Sequence, residues 1–236
     1  PSDTGNEGEK DLTVKVEEQE TGRLNFGAGI SSASSFVGSV GVQQSNFDIG
    51  EDWPYTGGGQ KLRASIEGGT SRSRAEISFV EPWLNNKPLS LSLSAYYSTR
   101  FYDEMDEKRL GTSASLTSAM KDFPGWRFTR GMKLEFVEVE VESDGSDELK
   151  DEETKDFVSA AFFNFTKDTR DNIRRPTRGG KIQISTEVQT IAIGSDNDSY
   201  KLRISGSEYF SVFDESVIKF GGEIGVTDAI DDVPIY

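Results

Sequence analysis

Two clusters of charged side chains contain the residue types that could bind a ligand or take part in catalysis. The first is acidic and lies in residues 143–153. Its carboxylates could supply oxygen ligands to calcium, but their spacing differs from that of an EF-hand, and a solvated loop of like charges is the simpler interpretation. The residues concerned are Asp144, Asp147, Asp151 and Glu152.

The second cluster is basic and falls in one connection between two candidate strands. It contains Arg170, Arg174, Arg175 and Arg178, together with Asp168 and Asp171. One interpretation is a salt-bridged turn that holds two strands together. The other is a docking surface for a protein partner or for lipid headgroups. Pro176 and Gly179 favour a fixed turn.

The side chains that most often act as general base or nucleophile are missing. The chain has no histidine and no cysteine, which excludes the commonest general base, disulfides and thiolate metal sites. The glycine- and lysine-containing stretches 57–61 and 178–181 lack the spacing of a phosphate-binding loop. We therefore predict a protein that is not an enzyme, with no catalytic residue, no metal site and no cofactor.

The overall charge excludes another class of function. The net charge is -15, with 41 acidic against 26 basic residues. Because such a chain has no basic surface to replace the counterions of a phosphate backbone, we expect no nucleic-acid partner.

Residues 87–97 show the pattern that repeats along most of the chain. Leu89, Leu91 and Leu93 alternate with serines, and a period of two indicates a β-strand with one apolar and one polar face. Eleven candidate strands of this kind lie between residues 23 and 228, and the ninth is predicted to span 180–193. The fold class is therefore all-β, an antiparallel up-and-down meander.

The connections between these strands are of two alternating kinds. One set is polar and often acidic, whereas the other contains proline and aromatic residues. In a meander the two sets lie at opposite ends of the strands, as in a transmembrane β-barrel, and several strands exceed the usual globular length. Trp53, Trp83 and Trp126 all belong to the second set, where an interfacial aromatic girdle would place them. A soluble β-sandwich is the alternative.

Two positions fit this pattern badly. Glu208 falls on the face that Leu202 and Ile204 would turn to lipid. The apolar parity also flips between Phe136 and Val137, which predicts either a β-bulge or a strand extension above the membrane over residues 137–142. We favour the extension because the acidic loop follows it directly.

Three segments together resemble a known family. They are VKVEEQETGRLNFGAGISSASSFVGSVGVQQSNF, SFVEPWL and TKDTRDNIRRPTRGGKIQIS, the last with Asp171, Arg174, Arg175, Pro176 and Gly179 in one turn motif. Their order and spacing are similar to those of the BamA/TamA superfamily of outer-membrane barrels with POTRA modules, and in particular of its BamA-type assembly factors.

The resemblance implies a domain organisation and a location. Residues 1–22 would be the end of a periplasmic POTRA module and a linker. Residues 23–236 would be the first eleven strands of a sixteen-stranded barrel in the bacterial outer membrane, so we expect a piece of a longer chain whose N-terminal residues lie in the periplasm.

The resemblance also implies a function. Such barrels insert and fold other outer-membrane β-barrel proteins, and their partners are unfolded client proteins, accessory lipoproteins and the lipid bilayer. The alternatives within this fold are a polypeptide-exporting barrel and a plain porin-type or ligand-binding barrel.

The first barrel strand is the candidate site for that function. Glycine weakens a strand and its hold on a neighbour, and a weakly held edge can accept an incoming strand by β-augmentation. By the resemblance, this strand would form a lateral gate at which client strands pair. Alternatively, its glycines relieve crowding inside the barrel. The residues are Arg23, Leu24, Asn25, Phe26, Gly27, Ala28, Gly29 and Ile30.

Overall fold

The structure is a computed structural model, and it describes most but not all of the chain. The described residues are 2–3, 10–11, 20–31, 35–52, 55–102, 104–141, 153–213 and 216–229. Ser2–Asp3 pairs antiparallel with Lys10–Asp11. The rest of the predicted POTRA segment up to residue 19, the four acidic residues of the possible calcium loop and Trp53 lie outside the described residues.

Eleven antiparallel strands form one sheet in which each strand pairs with its neighbours in the chain. They are β1 (Gly22–Ser31), β2 (Ser35–Phe47), β3 (Gln60–Gly69), β4 (Arg72–Glu81), β5 (Leu89–Phe101), β6 (Met105–Ala119), β7 (Trp126–Val141), β8 (Thr154–Asp168), β9 (Gly179–Gln189), β10 (Ser199–Phe213) and β11 (Ser216–Ala229). The predicted meander is confirmed. Over the described residues the sheet is open, with β1 and β11 at its two edges.

The predicted end of the ninth strand is wrong. β9 stops at Gln189, and Ile191–Ile193 form a 3-10 turn instead. The Thr190 side chain accepts a hydrogen bond from the Ala192 amide, and Gly194 closes the turn in the left-handed region, at φ 92°. A second 3-10 turn, Leu84–Asn86, lies between β4 and β5.

Alternation sorts the side chains onto two faces, as residues 87–97 indicate. Leu91 lies opposite Leu116 and Leu93 opposite Ala114, while Ser94 lies opposite Ser113 on the other side. We call the side that carries Leu91, Leu93 and their cross-strand partners the apolar face, and the opposite side the polar face.

The apolar face is the exposed one. Phe26 is 74% exposed, Ile30 89% and Ile224 70%, whereas Glu107 and Glu135 on the polar face are only 5% and 3% exposed. A water-soluble protein has the reverse arrangement, because its large apolar side chains leave water on folding. An exposed apolar face and a sheltered polar face are typical of a sheet that meets lipid on its outside.

The parity flip in β7 does not come from a bulge. The register of β7 is unbroken with β8 from Trp126 to Val139 and with β6 from Arg127 to Val141. Val137 and Val139 are buried on the polar face together with Val158, while Glu138 and Glu140 take the apolar-face positions. The bulge is therefore wrong, and the strand continues regularly beyond its last large apolar-face residue, Phe136.

Glu208 keeps its place on the apolar face, where Phe210 follows it along the same strand. It lies opposite Gly180 on β9 and Phe220 on β11. A Cβ at Gly180 would come within 1.9 Å of the Glu208 carboxylate. The carboxylate thus lies over Gly180, next to the connection from β8 to β9.

No helix among the described residues is long and apolar enough to span a membrane.

Candidate functional site at the first strand

β1 is the first strand of the sheet, and among the described residues it is paired on one side only. It is hydrogen-bonded to β2 from Gly22 opposite Gln44 to Ser31 opposite Ser35. Within the described part of the chain, its other edge has no partner strand. In a strand of this kind every second residue directs its amide and carbonyl groups away from the paired side, so β1 offers a ready template for a further strand.

The side chains of β1 divide between the two faces as the sequence predicts. Leu24, Phe26, Ala28 and Ile30 share the apolar face with Val40 and Val42 of β2. Arg23, Asn25, Gly27 and Gly29 occupy the polar face. The polar face of β1 therefore has no side chain at two of these four positions.

Packing against β2 does not require either glycine. A Cβ at Gly29 would meet nothing closer than Val37, at 3.9 Å, which is an ordinary contact. A Cβ at Gly27 would meet only the Ser39 hydroxyl, at 2.6 Å, and that group can rotate away. Crowding against β2 is thus a weak explanation for the two glycines. A low strand propensity is one physical property that they share, and relief of crowding elsewhere inside the barrel stays the alternative.

The sheltered polar face of β5 to β9 carries a network of charges that the sequence interpretation missed. The Tyr96 hydroxyl donates to the Glu135 carboxylate at 2.6 Å. Glu135 also lies 3.5 Å from Arg109 and 3.6 Å from Lys133, and Lys133 reaches Glu187 at 3.1 Å. Strand parity predicts that these residues face inward, but their pairing requires the register between strands.

The row that contains Tyr96 shows how the network crosses a strand. Tyr96, Gly111 and Glu135 lie directly opposite one another on β5, β6 and β7. A Cβ at Gly111 would come within 2.5 Å of the Tyr96 ring. Because Gly111 has no side chain, Tyr96 can lie across β6 and reach Glu135. The Arg74 guanidinium covers the same ring, 4.6 Å from its centroid.

The connection between β8 and β9 is a hydrogen-bonded turn organised by Asp171. Its carboxylate accepts from the Thr177 hydroxyl at 2.5 Å and from the Thr177 and Arg178 amides at 2.9 and 3.2 Å. These donors hold the pKa of Asp171 well below its usual range, with the Thr177 hydroxyl as the largest cause. The turn is therefore tied down by a carboxylate that must be ionised.

Glycine is required at the end of this turn. Gly179 has φ 81°, and a Cβ there would lie 2.2 Å from the Thr169 carbonyl oxygen. The other contacts of the motif are local: Arg170 pairs with Asp168 at 2.7 Å, and the Arg174 and Arg175 amides donate to the Asn172 side chain. The turn interpretation has a clear structural basis, and docking of a partner at Arg174, Arg175 and Pro176 stays a prediction.

Two of the three predicted interfacial aromatics can be placed. Trp83 is exposed and begins the 3-10 turn between β4 and β5. Trp126 begins β7, opposite Lys167 of β8. Both belong to connections at the same end of the meander, which we call the turn end and which also includes the Asp171 turn. The girdle itself stays a prediction.

A row of charges marks the other end of the apolar face. Lys108, Glu138 and Lys155 lie side by side on β6, β7 and β8. Glu138 pairs with Lys155, and Lys108 pairs with Glu140 at 2.6 Å. On the same face, the next residues towards the turn end are Leu110, Phe136 and Phe157. The apolar band of these three strands therefore stops at the charged row.

The described residues contain no group of three or more His, Cys, Asp or Glu side chains that could hold a metal ion. What the arrangement offers is a backbone edge for strand pairing, a lipid-compatible face and a polar interior.

Comparison with known proteins places the chain among such barrels. The sequence model of the Omp85 superfamily domain matches residues 55–236. The outer membrane protein assembly factor BamA of Nitratidesulfovibrio vulgaris is 27% identical over 238 residues, which cover 99% of this chain and 29% of that protein. The chain thus spans under a third of the length of this relative.

A solved structure shows the same fold. The crystal structure of BamA from Haemophilus ducreyi lacking POTRA domains 1–3 matches with a TM-score of 0.74 at 20% identity. The match covers 93% of this chain and 44% of that one. The eleven-stranded open sheet is therefore similar to part of that structure.

Proposed function

Because the chain belongs to the Omp85 superfamily, we propose that it is the N-terminal part of an outer-membrane barrel that inserts and folds other β-barrel proteins. The work is done without a nucleotide or cofactor, by pairing of client strands with the free edge of β1. The observation that carries this proposal is that β1, the first strand of the sheet, carries two glycines that packing against β2 does not require.

The physical basis is an exchange of strand partners. The first strand of a closed barrel pairs with the last one, and the glycines at 27 and 29 weaken this strand relative to its neighbours. A client strand that pairs with β1 satisfies its backbone hydrogen bonds, which have no water partners inside a bilayer. The template thus lowers the cost of bringing an unpaired strand into the membrane.

The two ends of the sheet support an orientation for the proposed barrel. The apolar face between the Trp126 row and the Lys108–Glu138–Lys155 row meets lipid, and the strand extension beyond Phe136 lies outside the bilayer. The turn end faces the periplasm, together with residues 1–22 as the end of a POTRA module and linker. Unfolded client proteins are the substrates, and the Asp171 turn is available for accessory lipoproteins.

Cross-linking can test the gate directly. The chain has no cysteine, so single cysteines can be placed at Phe26, Gly27 and Ala28 in the full-length protein, against a scan of cysteines along the terminal strand of an arrested client. Strand pairing predicts disulfides that recur at every second client position, with Phe26 and Ala28 in one phase and Gly27 in the other.

The matched control is a cysteine at Ser65 in β3. Ser65 is paired on both sides, with Gly41 of β2 and with Glu76 of β4. It should give no client disulfide. If client disulfides form instead with cysteines at polar-face positions such as Arg203, the client passes through the interior and the exporting alternative is favoured. Disulfides without a period of two at β1 would reject templating.

A further inference from the structure

Arg130 occupies an unusual position on the apolar face. It lies in β7 between Leu116 of β6 and Phe163 of β8. Its side chain is exposed, and the structure gives it no acidic partner among the described residues. The structure describes β6, β7 and β8 along their whole length. On their apolar face, Arg130 is the only charged residue between the Lys108–Glu138–Lys155 row at one end and the Trp126–Lys167 pair at the other.

The depth of Arg130 can be read along its own strand. It lies four residues from Trp126 and eight from Glu138. At roughly 3.3 Å per residue and a tilt of about 40°, the step from Trp126 to Glu138 spans about 30 Å, the thickness of a hydrocarbon core. Arg130 then lies about 10 Å above Trp126, inside the leaflet at the turn end.

An arginine at this depth carries a cost that needs a compensating partner. Arginine on the lipid face of a barrel costs about 2–4 kcal/mol at the midplane and less near the interfaces. A leucine or phenylalanine, like the residues on either side, would carry no such cost. Ionisable side chains inside a membrane are for this reason candidates for a specific function.

The side chain points towards the nearer interface. The guanidinium carbon of Arg130 lies 5.8 Å from the ring centroid of Phe128, which is two residues closer to Trp126. Phe128 is held in place by stacking on Phe165, with ring centroids 4.7 Å apart. Arg130 therefore leans along a fixed aromatic surface in the direction of the headgroups, as a snorkelling side chain does.

We propose that Arg130 binds the phosphate of a phospholipid in the leaflet at the turn end and draws it towards the hydrocarbon core beside β7. A guanidinium is planar and always charged, and it binds phosphate through two parallel hydrogen bonds. The leaflet is then thinner at β7 than along the neighbouring strands. This inference rests on the proposed contact of the apolar face with lipid, but it does not depend on the β1 gate.

The experiment uses a depth-sensitive label two residues above Arg130. A spin label is attached at Met132→Cys on the same face of the full-length protein, in vesicles of phosphatidylethanolamine and phosphatidylglycerol. Its collision rates with a water-soluble nickel complex and with oxygen report how deeply it is immersed. Arg130→Met should lower the nickel-to-oxygen ratio several-fold. Arg130→Lys keeps the charge but loses the two parallel hydrogen bonds, so it should give an intermediate ratio.

Two controls separate phosphate binding at Arg130 from a general loss of positive charge and from the entry of water alone. Arg127→Met removes an arginine from the polar face of the same strand and should leave the ratio unchanged. In vesicles of a galactolipid that has no phosphate, the parent and Arg130→Met should give the same ratio.

Three results would overturn the proposal. Equal ratios for the parent and Arg130→Met in phospholipid show that Arg130 does not thin the leaflet. A difference that persists in galactolipid shows that water, not phosphate, is drawn in. A label with water-like nickel exposure in every variant shows that the apolar face does not meet lipid, which is a failure of the proposed location rather than of Arg130 alone.

Discussion

The Tyr96 hydroxyl lies 2.6 Å from the Glu135 carboxylate, although 39 positions of sequence and a whole strand separate the two residues. Both project from the polar face, and Glu135 is nearly buried there with Arg109 and Lys133 around it. A buried carboxylate is stable only when its charge and lone pairs are satisfied. The hydrogen bond from Tyr96 therefore contributes to the stability of the central strands.

Tyr96→Phe tests this contribution because it removes one hydroxyl and leaves the ring in place. We expect the free energy of unfolding of the full-length protein to fall by about 1–2 kcal/mol, as for a hydrogen bond to a charged group. Urea-induced unfolding in vesicles measures the change. Tyr102→Phe, directly after the same strand, is the matched control and should change it little, because the Tyr102 side chain is exposed and makes no side-chain hydrogen bond among the described residues.

Gly111→Ala should break the same hydrogen bond from the strand between its partners. A Cβ at this position would come within 2.5 Å of the Tyr96 ring, so the ring must move off β6. The double variant with Tyr96→Phe should then be less destabilised than the sum of the two single variants, as residues in one network are not additive. Strict additivity in the same unfolding experiment would show that the two residues act separately.

These residues also show where sequence interpretation succeeds and where it stops. The strands were predictable because most of them keep one face apolar over most of their length, as Leu89, Leu91 and Leu93 show. The end of β9 was not. Ile191 and Ile193 still show a period of two, but their parity is opposite to that of the apolar face of β9, and Thr190 and Gly194 bend the backbone into a 3-10 turn. Parity places Glu135 on the polar face, but its link to Tyr96 depends on the register of three strands, which no local pattern encodes.

Gly179→Ala should destabilise the connection between β8 and β9. The residue has φ 81°, and the new Cβ would clash with the Thr169 carbonyl oxygen. We expect a loss of more than about 1 kcal/mol in the free energy of unfolding, since both the backbone and the contact are unfavourable for alanine. Gly68→Ala is the control, because a Cβ at Gly68 has no atom within 4 Å. Equal effects of the two variants would contradict the requirement for glycine.

Asp171 should make the same turn sensitive to acid. Its pKa is lowered in the folded protein by the Thr177 hydroxyl and by backbone amides. A lowered pKa gives a stabilisation that is fully present above the unfolded value of about 3.9 and is lost as the pH falls from there through the folded pKa. The difference in unfolding midpoint between the parent and Asp171→Asn should therefore be constant from neutral pH down to about pH 5 and shrink below about pH 4.

The control for that titration is Asp122→Asn in the connection between β6 and β7. Among the described residues, the Asp122 side chain accepts no hydrogen bond, so its replacement should change the unfolding midpoint little. If the difference in unfolding midpoint between the parent and Asp171→Asn is the same at pH 3 and at pH 7, an ionised Asp171 does not organise the turn.

Gly29→Ala addresses the gate without disturbing the packing of β1. The added methyl group would meet only Val37, at 3.9 Å, so the fold should tolerate it. Alanine leaves the unpaired backbone fewer conformations than glycine does. It therefore makes the free energy of strand pairing more favourable, by up to about 1 kcal/mol. If exchange of strand partners at β1 limits assembly, the variant should slow client folding into vesicles up to about fivefold, while Gly68→Ala in the doubly paired β3 should not. Client folding at the parent rate by a correctly folded Gly29→Ala protein would mean that the glycines do not set the strength of the gate.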